Sequence, residues 1–351
     1  MARGLNDALL GSLGPVPPSD PEGGARRPRS GLRVPGRRVR NLEETCRALV
    51  SSERGEMPVG WRGSLRKKVA IVTGSSRGVG KGIALALGDA GATVYVTGRS
   101  VRGGRATQNL GGTIQDTAEA VTDRGGRGIP VRCDHTQNGD IRRLVSRVRR
   151  NEGQLDILVN NAFGGEEGRQ QIVTYDGFPF WKHDFQEWWH RMFDSYLRAT
   201  FATTYCALPL MMKRKGGLIV NTRWWNRDRY LCDLFFDVAS AGVGRMLYGL
   251  ALELRRSKIA AVGVSPGWTR TERMADVPRA VLEREAQSPE YVGRAVVHLA
   301  RDPRVQEKSG RVFEVGALAR EYGFRDVDGR YWDYHASIAE KPRLGWPPDV
   351  L

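Results

Sequence analysis

The chain has 351 residues, a formal net charge of +16, 17 prolines and 43 glycines, which suits one large domain with an extension. The basic excess favours anionic ligands, yet no basic stripe with interleaved aromatics appears, so nucleic acid is not expected as a partner. The four cysteines, at 46, 133, 206 and 232, show neither metal-ligand spacing nor a secreted disulfide pattern, so they read as unpaired thiols in a cytoplasmic setting, with no metal expected. No apolar run long enough to span a membrane occurs.

Residues 1–66 hold seven of the prolines and ten of the glycines, with arginines at 26, 27, 29, 33, 37, 38, 40 and 47. Such a stretch is expected to be a disordered basic extension, and a start of translation near Met57 explains it equally well. From Lys68 to Thr73 a short apolar strand leads into Gly74, Ser75, Ser76, Arg77, Gly78, Val79 and Gly80, and Ile83 to Leu87 then opens a helix. A turn this tight needs positive φ, and a pyrophosphate approaches the backbone closely only where no Cβ intervenes; the helix N-terminus adds free amides. The same turn without a ligand is an ordinary strand-to-helix connection.

Beyond it, strands at 93–97, 128–132 and 155–160 alternate with helices near 114–124 and 141–150. A long helix around Phe185 to Met212, a strand at 217–222, a helix around Phe236 to Arg256, a strand at 259–264 and a last strand near Val312 complete the pattern. This alternation predicts an α/β fold, a Rossmann-like doubly wound sheet of about seven parallel strands in a single domain over 67–335, followed by a tail, 336–351.

The Thr-Gly-x-x-x-Gly-x-Gly spacing at 73–80, with Cys133-Asp134 and Asn160-Asn161-Ala162, resembles the short-chain dehydrogenase/reductase family. The segment from Leu318 to Arg330 narrows the resemblance to its dehydrogenase/reductase member 1 subfamily, in which the activity is carbonyl reduction with NADPH. Cofactor choice is read after the second strand, where an acidic residue selects NADH; here Gly98-Arg99-Ser100 stands, and Arg99 with Arg77 suits a 2′-phosphate, so NADP(H) is expected over NAD(H). The resemblance implies that Gly74, Ser76, Arg77, Gly78, Val79 and Gly80 hold the pyrophosphate. It likewise gives Asp134 the adenine, has Asn160 and Ala162 line the cofactor, and assigns Pro266, Gly267, Thr269 and Thr271 to its nicotinamide end. Phe163 replaces the family's final glycine after Asn-Asn-Ala; its ring either crowds the nicotinamide or packs outward.

The chemistry of the family uses a tyrosine as proton donor, a lysine four residues later that lowers its pKa, a serine upstream and a helical asparagine. In the stretch from Leu234 to Ala241, Phe236 stands at the tyrosine position and Ser240 at the lysine position. The serine region reads Arg223, Trp224, Trp225, and the asparagine is missing near Asp194, Ser195 and Tyr196. Loss of acid–base catalysis alone costs about 10² to 10⁴ in rate. The chain is therefore expected to be an NADP(H)-binding pseudoenzyme, weak or inactive as an oxidoreductase, with a sensor or assembly role. The alternative is an active NADPH-dependent carbonyl reductase with a non-standard donor: Tyr196, Tyr230, His183 or His190 for the proton, or Arg223 for an oxyanion.

Aromatic residues at 178, 180, 181, 188, 189, 224, 225 and 268 favour an apolar or aromatic small-molecule ligand, although those within the helix fit a core role as well. The resemblance implies a homo-oligomer, dimer or tetramer, paired through the helices after the fourth and fifth strands.

Overall fold

The computed structural model describes residues 61–104, 110–164, 179–214, 216–224, 230 and 234–334. The expected disordered extension up to residue 60, the tail 336–351, Cys46, Cys232, Phe178 and Trp225 lie outside the described residues.

Seven strands, β1 (Val69–Val72), β2 (Thr93–Gly98), β3 (Arg127–Arg132), β4 (Ile157–Asn160), β5 (Gly217–Thr222), β6 (Ile259–Ser265) and β7 (Val312–Glu314), form one sheet in the order β3-β2-β1-β4-β5-β6-β7. Every pairing is parallel, as the alternation of strands and helices requires. Helices cover both faces, and the period of two along β1 divides the core: Ala70 and Val72 join one buried cluster, Val69 and Ile71 the other.

The first cluster lies against α1 (Gly78–Asp89), α8 (Pro289–Arg301) and α9 (Val315–Tyr322). It also takes in Trp61 and Leu65, both within 2 % of complete burial. The folded body thus begins before the expected boundary at 67, because Trp61 packs its ring 5.2 Å from that of His298 and Leu65 N donates to Ala90 O. An averaged composition hid one large aromatic among glycines.

The other face carries α3 (Asn138–Glu152), α5 (Ala199–Met212) and α6 (Leu234–Leu254). Local signals set the helix ends. In α2 (Ile114–Asp123), Thr113 and Asp116 form a reciprocal capping box; α3 stops at Gly153 with φ 67°; Ser288 caps α8 ahead of Pro289.

The expected long helix over 185–212 is present but is not uniform. It starts as α4 (Phe185–Trp189), widens into a π-helical stretch over His190–Arg198, and tightens again into α5. Such widening is concentrated at functional sites in proteins generally, and here it carries Tyr196 into the interior, 5 % exposed. α7 (Arg279–Glu285) lies between the end of β6 and α8.

Candidate active site

Strand order reverses between β1 and β4, so the crevice of a doubly wound sheet opens at the carboxyl ends of these strands. The sequence-predicted glycine turn lies there. Gly74 has φ 62° and Gly78 φ 57°, conformations that a side chain rarely adopts. A Cβ on Gly74 would come within 2.8 Å of Ala162 Cα, and one on Gly80 would overlap Gly74 O and Asn161 Nδ2. The turn and the Asn-Asn-Ala segment are thus in contact.

Two residues that the sequence reading passed over hold this junction. Asn161 Nδ2 donates to Thr73 O at 3.0 Å and Gly74 O at 3.1 Å, while Ser75 Oγ donates to Val72 O at 2.8 Å. Asn160 does not line the cofactor crevice as expected. It is 4 % exposed and spends its amide internally, on Thr204 Oγ1 at 2.9 Å and Asn221 Oδ1 at 2.8 Å. The strand's period of two explains the exchange, since the last strand residue points into the helix layer while its successor reaches the turn.

α1 has no side-chain N-cap, which leaves its first amides for an anion. The Gly78 N–H donates to Glu272 Oε2 at 2.8 Å, so an oxygen anion already sits on this amide. A Cβ on Gly78 would meet Thr271 Cγ2 at 3.5 Å, which brings the segment after Pro266 and Gly267 beside the glycine turn. Thr269, 5 % exposed, is held inside that segment: its Oγ1 donates to Gly267 O and receives the amide of Gln287, each at 3.3 Å. Val79 packs against the first core cluster, and Ser76 is buried beneath the turn.

At the adenosine end, the Arg77 fork does structural work. Its Nε donates to Gly111 O at 2.8 Å, and Nη2 donates to Ser100 Oγ at 2.9 Å and to Leu110 O and Gly112 O at 3.1 Å. Arg77 therefore clasps the stretch after β2, and Arg99 beside it is half-buried. Burial alone would raise the Asp134 carboxyl, but hydrogen bonds from Thr136 N and Oγ1, with the charges of Arg99 and His135, hold it below the usual range. It stays ionised next to Arg99.

The catalytic end is an aromatic cluster of Trp188, Met192, Tyr196, Phe235, Phe236, Ala239 and Val243, with Phe163 and Trp224 against it. Phe163 packs into this cluster, edge-on to Tyr196 at 5.2 Å and to Phe236 at 6.1 Å between ring centroids. Trp188 is a core residue, 6 % exposed, whereas Trp189, 41 % exposed, stacks on Phe193. His190 is exposed beside Asp194, and the His183 ring stacks near Trp188 at 4.2 Å.

At the position given to the lysine, Ser240 is 4 % exposed. Its hydroxyl donates to Trp224 O at 3.0 Å and accepts Arg223 Nη2 at 3.3 Å. One turn further along α6, a Cβ on Gly244 would overlap Arg223 Nη1, so the guanidinium lies along a face made of Ser240 and Gly244. Burial pushes the Tyr196 phenol up to about 12, while the Arg223 charge pulls the other way.

Tyr334 was also absent from the sequence reading. Its Cβ lies where a Cβ on Gly267 would come within 2.9 Å, and its ring stands edge-on to Trp224 at 5.5 Å. No motif announces this contact. It arises because buried Asp326 anchors the C-terminal segment to Ser288, and Tyr291 Oη meets both N and O of Trp332.

Residues 68–281 match the family model described as short chain dehydrogenase. The chain belongs to the short-chain dehydrogenase/reductase family. Over 300 residues it is 34 % identical to dehydrogenase/reductase SDR family member 1 of Mus musculus, spanning 80 % of this chain and 91 % of that one. The Homo sapiens protein of the same name is 33 % identical, across 81 % of this chain and 92 % of its own. A putative dehydrogenase from Xanthomonas campestris shares the fold with a TM-score of 0.65 at 23 % identity, over 77 % of this chain and 95 % of that one. Family membership implies a nicotinamide cofactor, and the glycine turn, with Gly74 and Gly78 at positive φ, fits the close approach of the pyrophosphate of such a group.

Proposed function

We propose that this chain binds NADP(H) at the carboxyl ends of β1 and β4 as an oxidoreductase of its family, and that the family's own proton route is closed in it. The observation carrying this reading is the replacement of a phenol by the Phe236 ring and of an ammonium by the Ser240 hydroxyl, within a cofactor half whose turn is intact. Bound NADPH would supply a hydride to a carbonyl carbon. The glycine turn and α1 would hold its pyrophosphate, Arg99 its 2′-phosphate, and Phe163 would border its nicotinamide end.

Turnover by the family route is expected to be weak or absent, because a phenyl ring carries no transferable proton. One arrangement favours a second reading, carbonyl reduction with a non-standard donor: the buried Tyr196 lies in the same aromatic cluster as Phe236. The ligand suited to Phe163, Phe236, Trp224 and Tyr334 is apolar or aromatic. Exposed Phe201, Tyr205 and Met212 on α5, with Val238, Tyr248 and Leu252 on α6, support a homo-oligomer. Among the described residues no helix is long and apolar enough to cross a membrane, and Cys133 and Cys206 are free thiols, which agrees with a cytoplasmic setting.

Calorimetry of the full chain with NADPH and NADH, followed by NADPH oxidation against a carbonyl panel, tests the reading. Binding of NADPH in preference to NADH is the expected result. Absence of binding to either would overturn it.

A further inference from the structure

The backbone ladder between β1 and β2 ends at Val72 and Val96, and that between β2 and β3 at Gly98 and Arg132. Where β1 gives way to the glycine turn, side chains take over from the ladder. Thr97 N donates to Ser75 Oγ at 3.0 Å, and Ser75 N donates to Thr97 O at 2.9 Å. Ser75 Oγ and Thr97 Oγ1 both donate to Val72 O, at 2.8 and 3.0 Å.

His135, from the loop between β3 and α3, completes this link. It is 6 % exposed, with Nε2 at 2.9 Å from Thr97 Oγ1 and Nδ1 at 2.9 Å from Thr203 Oγ1 on α5. One tautomer satisfies both contacts. The single hydroxyl proton of Thr97 is spent on Val72 O, so Thr97 Oγ1 accepts from the ring; Nε2 carries the hydrogen, and Nδ1 accepts from the Thr203 hydroxyl. Burial drives the imidazole toward this neutral form, against the pull of the Asp134 and Asp140 charges.

We infer that His135 is a positioning residue of the cofactor site, fixing Asp134 and Arg99 against the glycine turn. The inference rests on the NADP(H) reading above. The covalent paths are short: Asp134 is the residue before His135, Arg99 lies two residues beyond Thr97, and Ser75 belongs to the turn itself. A filler at this position need only be apolar, as Cys133 and Ile141 of the same segment are. Instead His135, Thr97 and Thr203 are all buried with their polar atoms, which is costly unless every hydrogen bond closes. Such bonds fix both distance and direction, which apolar packing leaves looser.

The test compares the full-length chain with His135→Leu, His135→Gln, Thr203→Val and His298→Leu. Affinities for NADPH and for 2′,5′-ADP, which carries the adenosine half alone, are measured by calorimetry, and a thermal melt of each variant shows whether it has folded. His135→Leu is expected to weaken both ligands by about tenfold, and Thr203→Val by about threefold. His135→Gln, whose amide can still donate to Thr97 Oγ1, is expected to recover most of the loss. His298→Leu removes the other buried histidine, on the far core cluster, and is expected to lower the melting temperature without changing either affinity. Affinities unchanged in a folded His135→Leu overturn the assignment, as does an equal loss in His298→Leu, which would mark a general effect of lowered stability. Should His135→Leu fail to fold, unchanged affinities in Thr203→Val overturn it. These outcomes leave the NADP(H) reading standing, whereas an unaltered chain that binds neither ligand overturns that reading and the assignment with it.

Discussion

The two ends of this crevice are built on different principles. The cofactor end is set by where the backbone runs: Gly74 and Gly78 at positive φ and a junction too tight for a Cβ at Gly80. At the catalytic end side chains from separate elements meet: Arg223 Nη2 donates to Ser240 Oγ, and Tyr196 packs with Phe163 and Phe236. Backbone sites tolerate few substitutions and leave fixed spacings. A side-chain site can be rebuilt from new directions as long as the hydrogen bonds close.

Gly80→Val should break the cofactor end most severely. Its added carbons enter the space of Gly74 O and Asn161 Nδ2, so NADPH affinity measured by calorimetry should fall by about 100-fold or more, with a lowered melting temperature.

The catalytic end should respond in a more surprising way. Phe236→Tyr with Ser240→Lys, the simple restoration of the family pair, should not restore activity, because the lysine must enter space held by the Arg223 guanidinium. Overpacking of that kind costs about 1–3 kcal/mol, readable by urea denaturation. A double variant as stable as the unaltered chain would contradict the crowding described above.

Acid should act mainly through two buried histidines. His135 lies between Thr97 Oγ1 and Thr203 Oγ1, each at 2.9 Å, and burial pushes it from 6.5 to about 4; His298, sandwiched by Tyr322 and Phe324, is likewise pushed from 6.5 to about 4 by burial. The unfolded chain binds these protons more readily. Stability contributed by the neutral rings is therefore complete above pH 6.5 and lost as pH falls toward 4. The slope is about 1.4 kcal/mol per histidine for each pH unit in that window. Urea denaturation at a series of pH values checks it, and His135→Asn should remove about half the slope.

The smallest expected effect is the most selective. Arg99→Ala should weaken NADPH by about tenfold and leave NADH unchanged, since the contact proposed for Arg99 is with the 2′-phosphate alone. Equal losses for both cofactors would mean that Arg99 acts through the fold.

Much of the fold was legible because strand and helix periods, the glycine turn and the caps at Thr113 and Ser288 are local signals. The roles of Phe236 and Ser240 were legible by their alignment with a family segment. Other features were not. Trp61 belongs to the core through a partner, His298, more than two hundred residues away in sequence. Asn160 and Asn161 look alike in sequence, and only the strand's period assigns one to the interior and the other to the turn. Arg77, read as a phosphate ligand, is occupied with three backbone carbonyls that no local pattern identifies. Tyr334 reaches Trp224 only because Asp326 and Tyr291 fix the segment before it.

The central claim is an NADP(H) site beside a catalytic end that lacks the tyrosine and lysine of the family, and the most direct test is a calorimetric titration of the full-length chain with NADPH. Saturable binding to one site per chain, tighter than that of NADH, is the expected result. No heat of binding from either cofactor would contradict the account at its base.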